Sequence, residues 1–156
     1  MLQITVNMGN RVCAESAPKI KVIIVEKHPA VRRALRKRLD ATSQLDVVAA
    51  FQDPAEALAF LSAEPVSSEC KANAHVVLLG LQNESDDELY KTLGAVRILV
   101  KSEAAVVVLA PFADEVEHML MKQAGVSRYL LKYIDSQQLI KEIEAASFRN
   151  SAQISI

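Results

Sequence analysis

The feature that most constrains this chain is a fivefold alternation of short apolar runs with amphipathic segments. Ile20 to Val25 is rich in β-branched residues and has Lys21 as its only polar residue, so it reads as a strand buried on both faces. Pro29 suits the first position of a helix. Val31, Ala34, Leu35 and Leu39 then fall at helical spacing, with Arg32, Arg33, Arg36, Lys37 and Arg38 away from them. Val47 to Phe51 is a second strand. Asp53-Pro54-Ala55-Glu56 opens a second helix as a capping-box variant, and Leu58 and Leu61 face inward from it. Ser62 to Ala74 is a polar loop, long for a helix-to-strand connection. Val76 to Leu79 is a third strand. Asp86 to Val100 is a helix with Leu89, Leu93, Val96 and Val100 on one face and Gly94 mid-way. Ala105 to Leu109 is a fourth strand. Val116, Met119, Leu120 and Ala124 mark a fourth helix that ends near Gly125. Val126 to Leu131 is a fifth strand, and Asp135 caps a last helix carrying Leu139, Ile140, Ile143 and Ala146.

Continuous apolar strands alternating with helices imply a parallel sheet covered on both faces. Right-handed crossovers leave few arrangements. The expected fold is α/β: a flavodoxin-like three-layer sandwich with a five-stranded parallel sheet of order 2-1-3-4-5 and five helices. Ligand sites in such sheets lie at the carboxyl ends of the strands, which points to Glu26, Lys27, Gly80, Ala110 and Lys132. Residues 1–18 form an N-terminal extension whose Leu2, Ile4, Val6 and Met8 alternate with polar residues, as an added edge strand or a mobile tail. The main domain spans 19–147, and 148–156 is a C-terminal tail with no room for a further domain.

Composition narrows the function. Eighteen Lys and Arg against nineteen Asp and Glu give a net charge of -1, without the basic excess of a duplex-DNA binder. Four Phe, three Tyr and no Trp offer little stacking surface for single strands. No direct nucleic-acid binding is expected. Cys13 and Cys70 suit neither a disulfide scaffold nor a zinc site. No run is long enough to span a membrane, and Met1 to Val6 does not read as a signal peptide. The expectation is a cytoplasmic protein with free thiols.

Four segments resemble the receiver domain of two-component response regulators: Val22 to Arg32 (VIIVEKHPAVR), Val76 to Leu81 (VVLLGL), Val106 to Ala110 (VVVLA) and Tyr129 to Lys132 (YLLK). Their order and spacing agree with that family over about residues 19 to 147. The resemblance implies transfer of a phosphoryl group from phosphohistidine to an aspartate ending the third strand. Two acids after the first strand would help hold Mg²⁺. A hydroxyl after the fourth strand and a lysine after the fifth would receive phosphoryl oxygens. Such transfer rests on positioning and charge neutralisation, so each part needs its own residue type.

The chain departs from that set. The acceptor position is Gly80, the acid pair is Glu26 and Lys27, and the hydroxyl position is Ala110. Lys132 is kept, as is an aromatic, Tyr129, where the family has a mobile, switch-like one. Glu26, Lys27 and Lys132 sum to +1, which suits no hard dication, so no Mg²⁺, other metal or cofactor is expected. Glu26 is expected to pair with Lys132, directly or through Lys27. The acidic cluster Glu84, Asp86, Asp87 and Glu88 reads as helix-start stabilisation. The basic stripe is either a solvated helix face or a dock for an acidic partner.

The leading expectation is an atypical receiver domain (pseudo-receiver) that signals without phosphorylation, by binding a signalling protein or a second copy of itself. The resemblance places partners on the face of the fourth helix, fifth strand and fifth helix, displaying Glu117, His118, Met121, Lys122, Tyr133, Gln137 and Lys141. The alternative is a sensor binding a small anion at the vacant phosphorylation pocket. No motif for an enzyme is seen.

Overall fold

Alternate residues of each central strand enter two separate cores. Val22 and Ile24, Val76 and Leu78, and Val107 and Leu109 pack on one side of the sheet. Ile23 and Val25, Val77 and Leu79, and Val106 and Val108 pack on the other. This period of two, apolar on both faces, is why the strands read as unbroken hydrophobic runs. The structure is a computed structural model and describes residues 19–63, 73–83 and 85–155. The N-terminal extension, most of the Ser62 to Ala74 loop with Cys70, and Glu84 lie outside the described residues.

The elements alternate as expected: β1 (Ile20–Val25), α1 (Pro29–Asp40), β2 (Leu45–Phe51), α2 (Pro54–Ser62), β3 (Val76–Gly80), α3 (Asp86–Val100), β4 (Ala105–Ala110), α4 (Glu115–Gln123), β5 (Arg128–Leu131) and α5 (Ser136–Ser155). The sheet is parallel with order β2-β1-β3-β4-β5. Leu35 and Leu39 of α1 and Leu139, Ile143 and Ala146 of α5 cover one face. Ala57 of α2, Leu93, Val96 and Leu99 of α3, and Met121 of α4 cover the other. The fold is the expected three-layer sandwich. No helix among the described residues is long and apolar enough to cross a membrane.

Local chemistry sets the helix starts. Asp53 accepts from the Glu56 N–H at 3.2 Å, while Glu56 reaches back to the Gln52 N–H at 3.1 Å. Ser85 and Glu88 form a reciprocal capping box on α3. That bond engages Ser85, and Asp86 and Asp87 join Glu88 in the first turn, as the acidic cluster suggested. Asp114 caps α4 through the N–H groups of Val116 and Glu117.

Four details depart from the sequence expectations. Strand β2 begins at Leu45, and Val48 is an extra residue: Val22 pairs with Val47 but Ile23 with Ala49. Strand β5 begins at Arg128, because Gly125 (φ +104°) turns the chain first. Helix α5 runs through the 147/148 boundary to Ser155. On α4 the inward positions centre on Met121, which is fully buried, whereas Val116 and Met119 are 60% and 51% exposed. The displayed position expected for Met121 is therefore wrong. Leu120 and Ala124 pack inward under either phase, so the sequence pattern did not separate the two.

His75, just before β3, ties two strands together. Its Nδ1 accepts the Lys21 N–H at 2.9 Å, and its own N–H donates to the Lys21 carbonyl at 2.8 Å. Burial, and then the nearby Lys21 charge, hold its pKa below the ordinary 6.5. The folded state thus binds this proton less readily than the unfolded chain. The stabilisation is complete above pH 6.5 and is lost as pH falls from there toward the depressed folded value. The wild type should lose denaturation midpoint below pH 6.5 more steeply than His75→Asn, which keeps an acceptor without an imidazole proton. Equal slopes would refute this role.

Candidate functional site

The carboxyl ends of β1, β3 and β5 converge on one buried carboxylate. Glu26 follows β1 directly, is fully buried, and is the one buried charged residue among the described residues. Its Oε1 accepts from Lys132 Nζ at 3.0 Å. Its Oε2 accepts from the His28 N–H at 3.1 Å and from Gln82 Nε2 at 3.0 Å. A buried charge is tolerated only when paired and hydrogen-bonded, and these three donors meet that condition. The expected Glu26–Lys132 pair is direct. Lys27 points to solvent and takes no part in it.

Gly80 explains how the carboxylate fits. A Cβ built on Gly80 would lie 2.1 Å from Glu26 Oε1 and 3.1 Å from its Cδ. The Gly80 φ lies outside the left-handed region, so the glycine is needed for room and not for backbone freedom. The Glu26 side chain therefore fills the space in front of β3 where any other residue would begin. The room that the alternative reading left for an anion between Gly80 and Lys132 is taken by Glu26.

Other donors fix this arrangement. Arg32 Nη1 donates to the Glu26 carbonyl at 2.7 Å, bracing the end of β1 from the first turn of α1. Gln82 also approaches the Gly80 carbonyl at 3.4 Å. Neither residue was singled out from sequence as part of the site. Gln82 has no motif, and Arg32 was hidden in the basic stripe. Two further members of that stripe are structural: Arg36 bonds the Val47 carbonyl at 3.2 Å, and Arg38 bonds Ser136 Oγ at 3.0 Å and the Ile134 carbonyl. His28 is the N-cap residue of α1 by position and gives no side-chain cap.

Ala110 ends β4 fully buried, with no hydroxyl to offer. Tyr129, on β5, donates its hydroxyl to Glu117 Oε1 at 2.5 Å and stacks on His118, with centroids 4.6 Å apart and planes 8° from parallel. Burial first, and then Glu117, push the Tyr129 hydroxyl well above the ordinary phenol value, so it stays a donor. Of the expected partner-face residues, His118, Lys122, Tyr133, Gln137 and Lys141 are exposed, Glu117 is half-buried against Tyr129, and Met121 is inside. Phe112, Val116 and Met119 are exposed apolar additions at the same helix. Beside Gly80 lies a cavity of about 230 Å³ lined by Lys27, Asp53, Gln82 and Thr92 among others. No cluster of three metal-ligating side chains exists among the described residues.

No protein-family model matches the chain. It is 27% identical over 128 residues to the transcriptional regulatory protein LiaR of Bacillus subtilis, covering 82% of this chain. The chain spans 56% of the length of that relative. Among solved structures, the signal receiver domain of the response regulator NarL from Mycobacterium tuberculosis superposes with a TM-score of 0.65 at 18% identity, over 83% of this chain and 96% of that one. The receiver domain of a modulated diguanylate cyclase from Desulfovibrio desulfuricans gives 0.67 at 18% identity, over 86% and 98%. The fold is that of a response-regulator receiver domain.

The contact between Glu26 and Gly80 predicts a non-additive pair. Gly80→Ala should destabilise by about 3 kcal/mol, because it displaces a buried, paired carboxylate. In a Glu26→Ala background the same substitution should cost less than about 1 kcal/mol, since its obstacle is gone. Denaturant titration of the four proteins checks this, and additive costs would contradict it.

Proposed function

We propose that this chain is a receiver domain of the two-component type that signals without accepting phosphate, through contacts with a partner protein or a second copy. The observation that carries this is the position of Glu26. Its carboxylate fills the space in front of Gly80 and is held by Lys132, the residue that would otherwise meet a phosphoryl oxygen. A carboxylate is present, but it is inward-facing, buried and consumed by three donors. It offers no oxygen to a metal, and the end of β3 offers no nucleophile. Ala110 supplies no hydroxyl, and Tyr129 is engaged with Glu117 on the outer side.

Partner binding is assigned to the face of α4, β5 and α5. Lys122, Tyr133, Gln137 and Lys141 are exposed there, as are the apolar side chains of Val116 and Met119 on α4 and of Phe112 just before it. An apolar group rimmed by charges is the composition of a protein contact. The rival reading, an anion sensor at the old pocket, loses its space to Glu26. The cavity that remains beside Gly80 sets the Asp53 carboxylate next to Lys27, so its charge favours neither sign.

Incubation with Mg²⁺ and acetyl phosphate should leave the intact mass unchanged. Gly80→Asp alone should behave the same way, because Lys27 and Ala110 still supply neither the second acid nor the hydroxyl that phosphoryl transfer needs. A stable stoichiometric phosphoryl adduct on the wild type would overturn the reading. For the partner face, Lys122→Glu with Lys141→Glu should weaken association at least about tenfold, as two rim charges reverse. Sedimentation or pull-down measures it. If only Lys27 or Lys132 substitutions matter, the contact lies at the strand ends instead.

A further inference from the structure

A second cleft lies away from Gly80, along the edge of the sheet between α4, the start of β5 and the end of α3. Its volume is about 580 Å³, within the range that holds a small molecule. We propose that this cleft binds a small organic anion carrying a flat ring.

Charge gives the first half of the argument. Among the described residues no carboxylate lines the cleft, whereas Lys122, Arg128 and His118 do. Arg128 is held in place before any ligand arrives. Its Nε donates to Glu142 at 2.7 Å and its Nη1 to the Ser127 carbonyl at 2.9 Å. Glu142 is itself oriented by Gln138 at 3.0 Å. Among the described residues Arg128 Nη2 has no acceptor, so its two N–H donors, on a fixed guanidinium, remain for an anion. Glu142 offsets part of this charge, and Lys122 restores it.

Shape gives the second half. His118 stacks on Tyr129, and Tyr129 is fixed by its bond to Glu117. The imidazole is thus locked parallel to the phenol while remaining exposed at the cleft. A ring held flat at a cavity wall is a platform for a second ring. Val100 and Val126 add apolar wall. The wall depends on Gly125: at φ +104° it makes the turn, and a Cβ there would press on Val100 Cγ1 at 2.8 Å.

This inference goes beyond protein binding. A ligand in the cleft would share His118 and Lys122 with the partner face and so compete with a partner. Its test uses no partner, so the two readings fail separately. The full chain, labelled with ¹⁵N, is titrated with 2-naphthoate, with inorganic phosphate as an anion without a ring and 2-naphthalenemethanol as a ring without charge. Naphthoate should shift the amides of Gly125, Ser127, Arg128 and Tyr129 saturably, and both controls should bind at least about tenfold more weakly. Lys122→Glu and His118→Ala, both at exposed positions, should each weaken naphthoate at least about fivefold. An unchanged thermal midpoint verifies that these variants are folded. The proposal is overturned by absence of saturable shifts in the wild type, by shifts centred on Lys27 and Gln82, by controls that bind as tightly, or by folded variants that bind naphthoate as the wild type does.

Discussion

One carboxylate governs the upper end of this molecule. Glu26 is fully buried and would be prohibitively costly alone. Lys132 supplies the charge from β5, Gln82 a donor from beyond β3, and the His28 N–H a donor from the start of α1. The four groups come from three chain segments that the fold brings together, so the site is as much a consequence of the topology as a restraint on it. Gly80 completes the set by contributing nothing, since any side chain would take the place of the carboxylate. The arrangement sets an internal ion pair at the carboxyl ends of the strands, where ligand sites of such sheets lie.

The surroundings share that closed character. Arg32 pins the end of β1, and Arg36 and Arg38 tie α1 to β2 and to the start of α5. A stripe that looks like a docking surface in one dimension is largely a set of braces in three. At the other edge, Tyr129 is anchored to α4 by both its hydroxyl and its ring, and buried Ala110 offers no competing partner. The exposed, convergent side chains lie at α4 and β5. The proposed partner face and the proposed ligand cleft both fall there.

Much of this was legible in the sequence, for identifiable reasons. Central strands buried on both faces must be apolar throughout, so β1, β3 and β4 announced themselves, and strict alternation with helices left one probable sheet order. The Glu26–Lys132 pair followed from placing unlike charges at the carboxyl ends of strands in one sheet, although β1 and β5 are not adjacent in it. Contacts set by three-dimensional register were less visible. Val48 bulges out of β2 because pairing, not composition, decides it. Helix α4 carries apolar residues on more than one side, so its phase was misread and Met121 was placed outside. Gln82 and Arg32 carry no motif, and their role arises only from where Glu26 points. At Gly80 the sequence left room for an anion as the alternative and favoured a Glu26–Lys132 pair filling the space, and the pair fills it.

On the proposed reading, the Glu26 carboxylate is committed inward and unavailable to a metal. Titration of the ¹⁵N-labelled chain with millimolar Mg²⁺, followed at the amides of Glu26, His28, Gly80 and Gln82, tests it most directly. The account predicts no saturable shift at these positions and an unperturbed Lys132 ammonium signal. Saturable shifts at all four, with release of Lys132 from Glu26, would contradict it.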